Sequence, residues 1–190
     1  RIVIVDSYEP HIIVLTDGLL LDGSIREIGE ELAAGLSNER CGVRMFIFED
    51  LENTAQARDA YSRVIRCYPS LCAAYPRRQV FTDNDVRFVQ ACMEWIDQGE
   101  HRVDNCLLPI FRLKAAVDGE LLTDTLCVYL LDAESNSQRT GDILFLHRNT
   151  VNYRLNKIRS ILKCDLAQRP AALTVYQAAA IYRILGGFVQ

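Results

Sequence analysis

The 190-residue sequence predicts an α+β chain in which a mixed α/β module is followed by an all-helical one. Two observations carry this. Over residues 1–81, β-branched apolar runs and amphipathic stretches follow one another as strand, strand, helix, strand, helix, strand, the order of a sheet with helices packed on it. From Thr82 onward the strand signal vanishes, and apolar residues recur only at helical spacing. With 49% hydrophobic and 24% charged residues, the composition is that of an ordinary globular chain able to build a core.

Arg1 to Val5 and His11 to Thr16 are apolar, β-branched runs flanking Asp6-Ser7-Tyr8-Glu9-Pro10, a hairpin with a five-residue connection. Ser24 and Glu27 form a capping box, and Ile25, Ile28, Leu32 and Leu36 follow as the apolar stripe of a helix ending at Ser37-Asn38-Glu39. Val43 to Phe48 is a strand. Ala57, Ala60, Tyr61, Val64, Ile65 and Tyr68 mark a second helix, which Pro69 ends. Gln79-Val80-Phe81 is a short further strand. Thr82 can cap through Asp85 and opens a helix carrying Val86, Val89, Met93 and Ile96, with Phe88, Cys92 and Trp95 on a neighbouring face. Gln98-Gly99-Glu100 is a turn, Pro109 restricts where the next helix begins, and Asp118-Gly119 is another break. Leu122, Leu126, Tyr129 and Leu130 form one helical stripe, Thr140 to Leu146 a short helix, and His147 to Ile161 another. A last helix follows Pro170 with Leu173, Tyr176, Ala180 and Ile184 as apolar positions. The division is residues 1–81 as the α/β module, 82–118 as connecting helices and 119–190 as the helical domain.

No apolar run reaches the roughly 18 residues of a membrane span, and the N-terminus lacks a signal-peptide layout, so the reading is a soluble, cytoplasmic protein without membrane contact. A strand pattern that starts at once, without an initiator Met, predicts a longer natural chain with an upstream domain. The seven cysteines form no CxxC pair and have no histidine at ligand spacing, which predicts buried, reduced thiols and no metal site. The formal net charge of −4 speaks against generic polyanion binding, but its distribution is uneven. Between Asn136 and Lys163, Arg139, Arg148, Arg154, Lys157, Arg159 and Lys163 stand against Asp142 alone.

That stretch carries the functional signal. Ile143, Leu144 and Leu146 close one short helix while Val151, Leu155 and Ile158 repeat along the next, so the two share a small core across a tight corner, with Gly141 permitting their approach. The outward face of the second helix bears Arg148, Asn149, Asn152, Tyr153, Asn156 and Lys157. Arginine can bond guanine bidentately and asparagine adenine, lysine and tyrosine suit phosphate oxygens, and the helix N-terminus adds its dipole. The plainer alternative is a solvated surface helix.

Thr140-Gly-Asp-Ile-Leu-Phe-Leu-His-Arg-Asn-Thr-Val-Asn-Tyr-Arg-Leu-Asn-Lys-Ile158 resembles the C-terminal helix-turn-helix of the PucR/CdaR family of transcription regulators. That signature has a Thr-Ala pair before His-x-Asn-Thr, an apolar residue and Tyr-Arg-Leu. Leu122-Thr-Asp-Thr-Leu126 and Tyr129-Leu130 resemble its leading helix, and Asp165-Leu166 with the Pro170 helix its closing elements. Gly141 stands where the family usually has Ala, which weakens a helix by about 1 kcal/mol but keeps the small side chain the corner needs. The resemblance implies a sequence-specific regulator that binds double-stranded DNA, without catalytic activity or cofactor. It also implies a homodimer reading half-sites about 34 Å apart and a small-molecule effector acting through the absent upstream domain. Because the first turns of a recognition helix enter the major groove most deeply, Arg148, Asn149 and Asn152 are expected to read bases while Thr150, Tyr153 and Lys157 hold phosphates, with Asn156 on the same face. His147 takes the N-cap or turn position, where corner packing and phosphate contact both remain open. Of Tyr153 and Arg154, one pins the turn and the other reaches the backbone.

Residues 1–118 resemble the family's degenerate GGDEF-like, cyclase-like domain. The hairpin turn Asp6 to Pro10 lacks both glycines of that motif, and Pro10 removes a backbone donor, so Asp6 and Glu9 read as solvated turn acids rather than metal ligands. A nucleotide-binding or cyclase-like enzyme is the alternative from another class, and a Fis-like activator domain the alternative for the DNA-binding corner.

Overall fold

The computed structural model describes residues 3–8, 11–16, 25–37 and 42–187. The chain divides into two compact units, Arg1–Val64 with Gln79–Asp85, and Ile65–Arg78 with Val86–Gln190.

In the first unit, strands β1 (Val3–Tyr8) and β2 (His11–Thr16) pair antiparallel with Tyr8 opposite His11. The predicted hairpin is present, but its connection is shorter than five residues. Asp6, Ser7 and Tyr8 belong to the strand, with Asp6 opposite Ile13, because ladder pairing continues through these polar positions. Glu9, Pro10, Ser24 and Asn38 to Cys41 lie outside the described residues, and with them the Ser24 capping box.

Helix α1 (Ile25–Leu36) forms where predicted, yet it buries a different face. Leu32 and Leu36 are 51% and 60% exposed, while Gly29 and Ala33 are buried. The cause is close approach: a Cβ on Gly29 would stand 2.5 Å from Ile47 Cδ1 and 2.9 Å from Val80 Cγ1, so only the smallest residues fit against the strands beneath. Those strands, β3 (Met45–Ile47) and β4 (Val80–Thr82), run parallel in register Met45↔Val80, with Phe46 stacked on Phe81 at 5.1 Å between ring centroids. Among the described residues, the four strands make two separate two-stranded ladders, not the one sheet expected. Thr82 is capped as the sequence indicates, its N–H and Oγ–H both donating to Asp85 Oδ2 at 2.9 Å.

Helix α2 (Thr54–Ala74) runs through Pro69 instead of ending there. A proline inside a helix costs about 3 kcal/mol, but stopping at residue 69 would forfeit the burial of Leu71 and Ala74, both fully inaccessible, on the stripe of Ala60, Val64 and Cys67. Helix α4 (Glu100–Lys114) contains Pro109 for the same reason, since Cys106, Leu107, Ile110 and Leu113 bury around it. Helix α3 (Asp83–Asp97) buries Val86, Val89 and Cys92, and Gly99 at φ 102° makes the turn into α4.

The second unit is all helical. Helix α5 (Gly119–Cys127) continues into a π turn, Val128–Asp132, whose five residues are all buried. Helices α6 (Ser137–Leu144), α7 (Arg148–Leu162) and α8 (Ala171–Ile184) follow. Helix α8 packs along α4, and α7 packs against α5, α6 and α4. The buried face of α8 includes Val175, Ala178, Ala179, Ile181 and Tyr182, while Leu173, predicted apolar and inward, is 58% exposed. The π turn ends in a buried ion pair. Arg183 Nη1 and Nη2 donate to Asp132 Oδ1 and Oδ2 at 3.1 and 2.7 Å, and Nη1 also donates to the Ala74 carbonyl at 2.9 Å.

Candidate nucleic-acid interface

Helix α6 starts three residues earlier than Thr140 because Asn136 caps it. The Asn136 Oδ1 accepts the N–H groups of Gln138 and Arg139 at 2.9 and 3.1 Å, and the Asn136 carbonyl accepts the buried Thr140 hydroxyl at 2.7 Å. The helix stops at Phe145, left-handed at φ 55°. Its carbonyl at Gly141 then accepts the Leu146 N–H at 2.8 Å, which folds the chain back into the corner. Gly141 is buried there, and a Cβ on it would lie 2.6 Å from the Leu146 carbonyl oxygen.

His147 caps α7. Its Nδ1 accepts the Asn149 N–H at 3.2 Å, and its carbonyl accepts those of Thr150 and Val151 at 2.9 and 3.2 Å. Val151, Leu155, Ile158 and Leu162 are buried at four- and three-residue spacing, fixing one face of α7 inward against α5 and α6. At 3.6 residues per turn the remaining positions sort themselves. Asn149, Tyr153 and Asn156 share the crest opposite the buried stripe, Arg148 and Asn152 stand on one flank, and Thr150, Arg154 and Lys157 on the other.

Arg148, Asn149 and Thr150 are exposed, Tyr153 is 67% exposed, and Asn152 is half-buried. Arg154 turns inward toward α5, where its Nη1 donates to the buried Thr125 hydroxyl at 3.1 Å. Lys157 Nζ meets Asp118 Oδ2 at 2.5 Å, and this bond raises the ammonium pKa above its ordinary value. The exposed Asn156 accepts from Arg159 at 2.9 Å. One structured turn therefore brings His147, Arg148, Asn149 and Thr150 together at the open end of α7, with Asn152, Tyr153 and Asn156 behind them. Arg154 and Lys157 instead tie the helix to α5 and its leading turn.

Residues 122–181 match the PucR C-terminal helix-turn-helix domain. Over 83 residues the chain is also 34% identical to the carbohydrate diacid regulator of Escherichia coli (strain K12), a stretch that covers 43% of this chain and 21% of that protein. The chain thus spans about a fifth of the length of the curated relative it matches. No solved structure matches it. The match runs from α5, through the π turn, α6 and α7, into α8, so the corner and the exposed face of α7 both lie within it. No helix among the described residues is long and apolar enough to cross a membrane.

Several contributors carry no local signal in the sequence. Asp118 and Thr125 bind α7 side chains 39 and 29 residues away, a separation that no periodicity reveals. Phe145 is 97% exposed in the corner although its neighbours Leu144 and Leu146 are half-buried. Asn136 caps α6 from within Ser135-Asn136-Ser137, a polar run that reads equally as loop.

Proposed function

We propose that the chain is a sequence-specific, DNA-binding transcription regulator of the PucR/CdaR type, with residues 119–190 as its reading head. The observation that carries this is the exposed first turn of α7. Arg148, Asn149 and Thr150 project from a helix N-terminus behind a tight corner, within the segment that matches the PucR helix-turn-helix domain. A helix so presented inserts its N-terminal residues into the major groove.

Arg148, Asn149 and Asn152 are the base-reading set, Thr150, Tyr153 and Lys157 the phosphate contacts, with Asn156 at the edge of the same face. His147, exposed and capping α7, adjoins the phosphate path, the second of the two roles left open by the sequence. Arg154 acts as a positioning residue through Thr125. The likeness to a carbohydrate diacid regulator supports a regulator that answers to a small-molecule effector through a further domain, working as a homodimer on double-stranded DNA. In this reading residues 1–81 are a degenerate, catalytically silent GGDEF-like module and residues 82–118 connect it to the head.

Selection of bound duplexes from a random pool tests the reading. An enriched motif is the expected result, with Arg148→Ala lowering affinity for it by about 1–3 kcal/mol and relaxing preference at one base pair. Failure to enrich any motif, or an Arg148→Ala variant with unchanged affinity and preference, would overturn it.

A further inference from the structure

Asp118 occupies the N-cap position of α5, where an aspartate ordinarily accepts a backbone N–H of the first helical turn, yet its side chain makes no such bond. Its carboxylate meets Lys157 instead, across 39 residues of sequence. The turn that presents it is closely defined. Gly119 N–H donates to the Ala116 carbonyl at 3.0 Å, and a Cβ on the buried Gly119 would stand 2.5 Å from the Lys114 carbonyl oxygen, so the chain folds back tightly just after Asp118. The two side chains remain accessible, Lys157 at 32% and Asp118 at 49%, so the pair lies at the surface of the flank assigned to phosphate contact. On that flank Arg154 is already committed to Thr125, which leaves Lys157 as the cation able to move toward DNA.

Resting on the reading of α7 as the DNA-contacting helix, we infer that Asp118 is a built-in brake on non-specific DNA binding, exerted by holding Lys157. A lysine paired with a carboxylate releases fewer counterions on meeting a phosphate, and the carboxylate itself repels the backbone. Non-specific binding consists almost entirely of such phosphate contacts, whereas a cognate site adds base contacts from Arg148, Asn149 and Asn152. A masked phosphate contact subtracts about the same free energy from both modes, so non-specific binding, which has little else, is brought low while a cognate site is still held by its base contacts.

The test titrates the full chain and its variants onto a labelled duplex of random sequence over a range of salt concentrations. Asp118→Asn is close to isosteric and an equally good N-cap, and Asp118→Ser gives a second cap-competent form. Thermal unfolding checks that both fold. Unmasking one phosphate contact is expected to steepen the salt slope by about 0.9 and to tighten non-specific binding about fivefold at about 0.15 M salt. In Asp118→Asn/Lys157→Ala that gain should disappear, and Lys157→Ala alone should flatten the slope by less than a full unit. Unchanged affinity and slope in both Asp118 variants, or a gain that persists without Lys157, overturns the brake. If Arg148→Ala weakens binding to a cognate duplex enriched from a random pool while the Asp118 variants are silent, the brake fails and the reading of α7 stands. If Arg148→Ala binds that cognate duplex like the parent and Lys157→Ala leaves the salt slope unchanged, or the parent binds no duplex, the reading itself fails and the brake with it.

Discussion

Replacing Gly141 by alanine sets two opposing effects against each other with different signs. In an uncrowded helix the change would stabilise by about 1 kcal/mol, through better helix propensity and a less flexible unfolded chain. Here the new methyl would meet the Leu146 carbonyl oxygen at 2.6 Å, several tenths of an ångström inside ordinary contact, and the obstacle is backbone that cannot swing away. The Leu146 N–H is bonded back to Gly141 at 2.8 Å and Leu146 leads directly into the His147 cap, so relief requires the corner to open. Overpacking of this kind costs about 1–3 kcal/mol. The cost exceeds the gain, and Gly141→Ala should destabilise by about 1 kcal/mol, a fall of about 2–4 °C in Tm for a chain of this size. Urea unfolding with thermal melts measures it. A variant more stable than the parent would show that the corner opens without cost and would refute the argument, although regulators resembling this one usually carry Ala here.

Asp132→Ala leaves Arg183 buried and without its carboxylate, and should cost about 3–5 kcal/mol by urea unfolding; replacing both partners together with Leu and Met should cost far less, and a single-variant loss below about 1 kcal/mol would mean that water reaches the site. Burial pushes the Cys92 and Cys127 thiols up to about 12, from an ordinary value of 9.0. Both should resist a thiol reagent at pH 8 until the chain unfolds. Because the folded pKa values are raised, the stability these thiols contribute is complete below pH 9 and declines as pH rises from there toward 12, which unfolding titrations can follow.

Elements whose identity rests on local periodicity were legible. Val151, Leu155 and Ile158 repeat at four and three residues, and all three are buried, which fixes the rotation of α7 and the face it presents. Burial decided by shape was not legible. In α1 the larger side chains Leu32 and Leu36 stay outside while Gly29 and Ala33 go in, because the distance to β3 and β4 admits nothing bigger. In α8 hydropathy places Leu173 inside and Arg183 outside, and the structure reverses both, since Asp132 supplies the partner that makes a buried guanidinium tolerable. Pro69 and Pro109 show the same limit from another side. A helix breaker is a local penalty, and the apolar stripes on either side of it exceed that penalty only once tertiary packing is counted.

Of the cations between Asn136 and Lys163, four are engaged within the chain, two of them by carboxylates. Arg139 stands 3.7 Å from Glu134, Lys157 is paired with Asp118, Arg154 is held by Thr125 and Arg159 bonds Asn156. Arg148, like Lys163, is different: among the described residues no side-chain hydrogen bond or ion pair engages either, and Arg148 stands at the first position of α7. A helix N-terminus carries partial positive charge, so stability alone favours an acid there and disfavours an arginine by about 0.3–1 kcal/mol. The first turn of α7 has no acidic residue at all. Most other local choices around the corner agree with the fold, the left-handed and exposed Phe145 excepted: the Asn136 and His147 caps, the glycine at the close approach and the buried Val151 stripe. A local rule broken amid such agreement marks a position set by something other than stability. An arginine whose charge is repelled by its own helix, with no internal anion to offset it, is suited to an anion brought from outside, and the phosphates and guanine edges of a duplex are such a partner.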